Sequence, residues 1–323
     1  MLSYDYLREL IKVKKCVVIY NPNSGLISRE KILPKFEKIV NSYGYDCEIC
    51  LTDHKGHTTE IVKSLPNTTS LVISIGGDGT FNEAMTGNFE REKQLILAHL
   101  PSGTTNDIAT MFGYGKNLLN NLKLTLEGKV QNIDICTIND KPFIYSAGFG
   151  KFMNIPYDTP RSLKKRIGYL AYLTEGAKSL NEKTELYDIT YEIDGITSRG
   201  LYSFFIITSA NRIAGIKDFY KDVKLDDDKF EVLMCNVTNK LDIVKDLYLL
   251  TKYDATRVPG FNFQKTNNLK ITFNTPLKKA WCIDGEELTP IDNSYEIKIK
   301  NNIKILMPTK NLNKLFINKS TKK

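Results

Sequence analysis

The sequence predicts an α/β domain with a mostly parallel sheet, followed by a mainly-β domain of sandwich type. Three observations lead there. Through the first ~135 residues, β-branched apolar runs alternate with helical patterns, the rhythm of a parallel sheet covered on both faces. After Ile135 that rhythm gives way to short strand-like runs separated by turn signals such as Asp194-Gly195 and Asp284-Gly285. The 323 residues suffice for two such domains. The boundaries read as 1–135 and 136–302, with the segment from about 303 to 323 expected to return to the first domain.

In the first domain, Cys16–Tyr20, Tyr45–Leu51, Leu71–Ile75 and Leu95–Leu100 read as strands. Glu30–Val40, Thr58–Leu65 and the stretches after Thr80 and Thr104 read as the helices between them. In the second, Phe143–Ala147, Tyr187–Ile193, Leu201–Ser209, Phe230–Val237, Leu269–Phe273, Ala280–Ile283 and Tyr295–Lys300 are strand-like. Two helical patterns, Leu163–Leu180 and Leu241–Leu250, interrupt them.

Composition narrows the function classes. An apolar content of 41% and a charged content of 25% are ordinary for a globular protein, and no apolar run approaches the roughly 20 residues of a membrane span. The start, MLSYDYLRELIKVKK, carries acids and no long apolar core, so it does not read as a secretory signal. Cys47-x-x-Cys50 is the one close pair among six cysteines. It has no second pair to complete a zinc site, and YDCEICLT reads as a strand. A reducing cytoplasm is the simple inference. The net charge of +8 concentrates at Arg161, Lys164, Lys165 and Arg166 and in the tail beyond Pro308. That bias suits phosphates or an anionic membrane surface. No aromatic residues interleave the basic ones, which argues against nucleic acid as a partner.

The chemistry concentrates in four loops that follow strands. Asn21-Pro22-Asn23-Ser24-Gly25 offers an amide, a hydroxyl and a glycine for a phosphate-contacting turn. Thr52 is followed by Gly56-His57 at an expected helix start. Gly76-Gly77-Asp78-Gly79-Thr80 lets backbone N–H groups approach a ligand without Cβ atoms in the way, with Asn82-Glu83 behind it. Pro101-Ser102-Gly103-Thr104-Thr105-Asn106-Asp107 adds hydroxyls, an amide and a carboxylate. Strand order places such loops along one edge of the sheet, where a triphosphate can lie across them. Asp78, Asp107 and Asp134 then read as carboxylates around a hydrated Mg²⁺, which takes one or two of them plus phosphate oxygens.

In this order and spacing the four motifs resemble the diacylglycerol kinase catalytic domain, which sphingosine and ceramide kinases and the bacterial diacylglycerol and related lipid kinases share. GGDGT alone is also found in NAD kinases and, loosely, phosphofructokinases; PSGTTND is the discriminating element. The resemblance implies an NAD-kinase- or phosphofructokinase-like first domain and an active site in the cleft before the second. It implies ATP and Mg²⁺ as cofactors, with ATP on Asn21, Asn23, Ser24, Gly25, Thr52, His57, Gly76, Gly77, Asp78, Gly79, Thr80, Glu83, Ser102, Gly103, Thr104 and Asn106. Asp284 of Trp281–Glu286 matches the family's DGE motif, whose aspartate is the general base for the lipid hydroxyl. Glu286 is expected to orient that base or to bind nucleotide-bound metal. Phe143–Gly150 resembles a strand end near the lipid cleft, where Gly148 and Gly150 permit close approach. Lys224–Phe230 matches a structural Mg²⁺ segment, with Asp227 as the carboxylate and Lys224 and Lys229 as carbonyl donors; the family usually has glycine where this chain has Asp228.

The expected activity is phosphoryl transfer from Mg·ATP to a lipid hydroxyl, diacylglycerol by default. An NAD or small-metabolite kinase and a catalytically silent nucleotide- or lipid-binding regulator are the alternatives. The substrate places the protein in the cytoplasm, peripheral at the inner membrane face, and a homodimer is allowed for. Pro160–Leu173 sets four cations beside Leu163, Ile167 and Leu170, which suits either an interfacial helix or one packed on the second domain.

Overall fold

The computed structural model describes residues 13–24, 29–103, 105–155, 170–213, 215–216, 218–277, 279–289 and 291–317. Gly25, Thr104 and nearly all of the basic Pro160–Leu173 segment lie outside these residues. The chain divides into two compact units, Met1–Ile133 with Ile303–Leu312, and Asp134–Asn302 with Asn313–Lys323.

The first unit runs β1 (Lys14–Tyr20), α1 (Arg29–Ser42), β2 (Tyr45–Leu51), α2 (His57–Ser64), β3 (Thr69–Gly76), α3 (Asp78–Phe89), β4 (Leu97–Pro101), α4 (Asp107–Met111) and α5 (Leu118–Leu126). The strands lie in the order β2-β1-β3-β4, all parallel, and Ile305 pairs with Leu97 beyond them. Central β1 and β3 bury nearly every side chain, which is why their sequences are continuous apolar runs rather than alternating ones. Edge strand β2 sends Cys47 and Cys50, three residues apart, to opposite faces. Burial and the nearby Glu37 and Asp46 push the Cys47 thiol up to about 11, the wrong direction for a reactive thiolate. The order reverses between β1 and β3, and such a switch point is where open α/β sheets take their ligands.

The second unit contains the second half of β5 (Lys129–Ile138), then β6 (Lys141–Phe143), β7 (Ser146–Gly150), α6 (Leu170–Ser179), β8 (Tyr187–Ile193), β9 (Ile196–Tyr202), β10 (Phe204–Thr208), β11 (Phe230–Cys235), α7 (Lys240–Leu249), β12 (Phe261–Thr266), β13 (Asn268–Phe273), β14 (Cys282–Ile283) and β15 (Glu286–Glu287). Strand β16 (Ser294–Met307) starts here and finishes in the first unit; α8 (Leu312–Leu315) follows. One sheet is antiparallel in the order β12-β11-β10-β7-β14-β15. The other carries β9, β8, β13 and the start of β16. Their inner faces share one core, in which Phe149 packs on Phe273 and Trp281 with ring centroids 4.8 and 5.0 Å apart. This is the expected sandwich.

Two expected strands are broken, and each break has a cause. Leu201–Ser209 divides at Ser203, where the chain passes from one sheet to the other; the Ser203 hydroxyl donates to Val237 O at 2.7 Å. Phe143–Ala147 divides at Ile144 and Tyr145, whose amides leave the ladder for a side chain described below. Strands β5 and β12 were not anticipated, because polar residues interrupt their apolar patterns. Gly148 and Gly150 do permit a close approach, but to β10: an added Cβ would lie 2.6 Å from Phe205 O and 2.3 Å from Ser203 O.

Candidate active site

All four motif loops leave the carboxyl ends of β1 to β4, and hydrogen bonds tie three of them together at the switch point. Asn21 N–H donates to Ile75 O at 3.0 Å and its Nδ2 donates to Thr80 Oγ1 at 3.2 Å. Ser24 and Ser102 share a hydroxyl hydrogen bond of 2.7 Å, and Ser102 N–H donates to Gly76 O at 2.7 Å. Asn21 Oδ1 accepts from Asn23 N–H, closing the first turn on itself. The loops after β1 and β4 thus donate to the end of β3 and to Thr80.

Glycine is required where GGDGT meets PSGTTND. A Cβ on Gly103 would sit 2.5 Å from Gly77 Cα, and one on Gly76 would lie 2.2 Å from Thr80 Oγ1. At Gly79 an added Cβ meets nothing within 4 Å, so that position opens onto unfilled space. Gly77 precedes α3 with no side-chain cap, which leaves a helix N-terminus suited to an anion. Asn106 holds the other loop in shape. Its side chain accepts from Gly103 N–H and donates to Gly103 O, while its backbone takes φ 50°, a conformation asparagine tolerates.

The acids take definite roles. Asp78 reaches from the first turn of α3 to the start of α4, its Oδ2 accepting from Asp107 N–H at 3.1 Å and its Oδ1 from Ile108 N–H at 3.3 Å. Asp107 is itself buried. Glu83, expected on the nucleotide, accepts from the start of α2: Oε1 from Gly56 N–H at 2.9 Å and Oε2 from Thr58 N–H at 3.3 Å. Thr52 is buried and its N–H extends the β1–β2 pairing onto Tyr20 O. His57 Nδ1 lies 2.7 Å from Asp53 Oδ1. Asp53, His54 and His57 form the one set of three such groups among the described residues whose ligand atoms lie within 4.8 Å. Their imidazoles are stacked with planes 9° apart, so the in-plane lone pairs run side by side instead of converging on an ion.

Asp134, expected beside Asp78 and Asp107, has its described partners in the second unit. It belongs with the Lys224–Phe230 turn of the second unit, its Oδ2 accepting from Asp228 N–H at 2.7 Å and its N–H donating to Leu225 O. Burial, with a smaller push from Asp226, Asp227 and Asp228, raises its carboxyl to about 6. The turn itself is only partly suited to the expected structural cation. Asp227 Oδ2 accepts from Lys265 Nζ at 3.3 Å, so an ammonium already balances that carboxylate. Lys224 sends its Nζ to Lys314 O, and Lys229 N–H donates to Asp227 Oδ1. Asp228 sits at φ 55°, a region that glycine enters without the cost a Cβ brings. Nothing in the sequence pointed to Lys265, which lies 38 residues from Asp227.

In the second unit Asp284 and Gly285 form the two-residue turn between β14 and β15, with φ 48° and 86°. Both angles are positive, as a type I′ hairpin requires. Asp194-Gly195 makes the same kind of turn with φ 51° and 79°. Their side chains separate them. Asp194 accepts from the Thr266 hydroxyl, whereas the buried Asp284 accepts from three backbone amides: Ile144 at 2.7 Å, Tyr145 at 3.0 Å and Ser146 at 3.0 Å. The β6–β7 break therefore builds a seat for one carboxylate. Glu286, two residues on, is exposed.

Residues 15–138 match the family described as diacylglycerol kinase catalytic domain. That segment resembles the catalytic domain of a family whose members are lipid kinases that use ATP. A diacylglycerol kinase of Staphylococcus saprophyticus is 27% identical over 296 residues, covering 91% of this chain and 96% of that protein. One from Staphylococcus aureus strain MRSA252 is 27% identical over 306 residues, covering 94% and 96%. The crystal structure of a Bacillus anthracis diacylglycerol kinase superimposes with a TM-score of 0.76 at 21% identity, covering 93% of this chain and 99% of that one. A second structure from the same organism gives 0.78 at 20% identity, with 92% and 97% covered. These likenesses establish the same two-part fold. No described helix is long and apolar enough to cross a membrane.

Proposed function

We propose that this chain is a member of the diacylglycerol kinase family and transfers the γ-phosphoryl group of ATP to a hydroxyl of diacylglycerol, giving phosphatidic acid. The observation that carries the reading is the junction of GGDGT and PSGTTND at the sheet's switch point, where Gly77 and Gly103 touch and the α3 N-terminus has no side-chain cap. The N–H groups of that junction, with the Ser24, Ser102 and Thr80 hydroxyls beside them, suit a chain of phosphate oxygens. Asp78 and Asp107 are the residues that would hold Mg²⁺, which supplies neutralising charge to the transferred phosphoryl group.

The acceptor's chemistry falls to Asp284. Its carboxylate takes the hydroxyl proton as the oxygen attacks the γ-phosphorus, while the bond from phosphorus to the β-phosphate oxygen breaks and ADP departs. The three amides from Ile144, Tyr145 and Ser146 fix the carboxylate's direction, so little reorganisation accompanies proton transfer. A diacylglycerol acceptor places the enzyme at the inner membrane face as a peripheral protein. The test is incubation with γ-labelled ATP, Mg²⁺ and a panel of lipids in mixed micelles. Labelled phosphatidic acid is the expected product. A uniformly blank panel would end the lipid-kinase reading and favour a small-metabolite acceptor.

A further inference from the structure

Helix α7, Lys240–Leu249, is fastened on one side and bare on the other. Asn239 caps it by accepting from Leu241 N–H at 2.9 Å, and Ile243 and Asp246 turn inward. On the outer side stand Leu241, Val244 and Tyr248, which are 78%, 44% and 55% exposed. Their i, i+3, i+7 spacing puts them within an arc of roughly 60° at 100° per residue. A solvent-facing helix surface is normally polar, so an apolar stripe there calls for an occupant.

Lysines bracket the stripe. Lys240 and Lys245 each lie about 40° outside the arc, one on either side. Lys252, just past the helix, holds its Nζ 4.6 Å from the Tyr248 ring centre, and Tyr253 beside it is 50% exposed. Aliphatic side chains, tyrosines with polar tips and flanking cations together match the chemistry of a bilayer interface.

We infer that α7 is a membrane-docking face, inserting Leu241, Val244 and Tyr248 among the headgroups of an anionic bilayer while the flanking lysines meet lipid phosphates. This deepens the lipid-kinase reading and rests on it, since a diacylglycerol acceptor lies in such a bilayer. A second copy of the chain fits the face poorly. Three side chains of this kind offer on the order of 300 Å² per copy, about 600 Å² from two, well short of the roughly 1,200 Å² that a stable protein interface buries in total. Two-fold pairing of the stripe would also bring lysine against lysine.

The experiment is vesicle flotation of the full chain, with phosphatidylcholine alone and with added phosphatidylglycerol. Replacing Leu241, Val244 and Tyr248 together by serine should lower partitioning onto anionic vesicles about tenfold or more. Replacing Lys245 and Lys252 by glutamine should lower it about fivefold per lysine and remove most of the salt sensitivity. Leu241→Trp should shift its emission to the blue on anionic vesicles, over a constant background from the fully buried Trp281. Serine variants that partition like wild type, or wild type that binds neutral vesicles equally well, would overturn the proposal. So would a wild-type dimer that the serine variant splits, which assigns the stripe to a second copy. Turnover of a short-chain diacylglycerol dispersed as monomers separates the two readings: the serine variant should match wild type there. A wild-type protein that phosphorylates no lipid ends the kinase reading, while flotation still decides the face.

Discussion

Asp78 accepts a hydrogen bond from the backbone N–H of Asp107, 29 residues further along the chain, at 3.1 Å. The carboxylate at the start of α3 thereby orients the first turn of α4 and joins the two motifs through a direct hydrogen bond. Perturbing either should disturb both.

Asp78→Ala removes the acceptor for two α4 amides, at a cost of about 0.5–2 kcal/mol, the range for losing a helix cap. Activity should fall with a raised KM for ATP, because the loop carrying Ser102 and Asn106 loses its anchor. Asp78→Asn keeps one acceptor and should fall between wild type and alanine. A thermal melt beside an ATP titration reads both effects; an alanine variant unchanged in melting temperature would contradict the capping role.

Asp284→Asn should reduce turnover by about 10²–10⁴-fold. It should also lower stability by about 1–3 kcal/mol, since the new amide group would point a donor at the N–H groups of residues 144–146. On the proposed reading ATP meets loops of the other unit, so its binding should persist. Lipid phosphorylation and nucleotide binding, measured on the same preparation, separate these outcomes.

Two glycine substitutions should behave oppositely. Gly103→Ala forces a methyl into Gly77 Cα and should cost about 1–3 kcal/mol with loss of ATP affinity. Gly79→Ala meets open space inside a helix and should stabilise the protein by up to about 1 kcal/mol. If phosphates lie over that turn, the same variant should still bind ATP more weakly. Paired melting curves with and without nucleotide check both.

His99 is fully buried in β4, stacked on Phe81 at 4.8 Å and hydrogen-bonded to Ser74 at 3.1 Å. Burial lowers its imidazole from the usual 6.5 to about 3. The unfolded chain therefore binds a proton that the folded one refuses between those values. The stability that comes with the neutral ring is complete above about pH 6.5 and is lost as pH falls toward 3, at about 1.4 kcal/mol per pH unit. His99→Phe should flatten that part of the pH–stability curve. Chemical denaturation at pH 4, 5 and 6 measures the slope.

Much of the site was legible because backbone chemistry writes itself into residue types. Close approach at Gly77 and Gly103 leaves glycine as the residue that fits, and a positive φ at Asn106 favours asparagine. What escaped notice depended on partners far along the chain. That the Glu83 carboxylate caps α2 follows from a contact 25–27 residues back along the chain. The hydrogen bond that Asp134 accepts from Asp228 N–H, 94 residues away, has no local signature either.

The sequence by itself determined the succession of strands, the four loops at their carboxyl ends and the residue types those loops require, since periodicity and turn chemistry are local properties. Only the tertiary structure decided what each acid does. Asp194-Gly195 and Asp284-Gly285 are the same dipeptide in the same turn, and neither differs from the other in local code. One carboxylate meets a threonine hydroxyl, and the other meets three amides freed by a break between β6 and β7. A carboxylate's role is set by the donors around it, and folding brings those donors from 140 residues away.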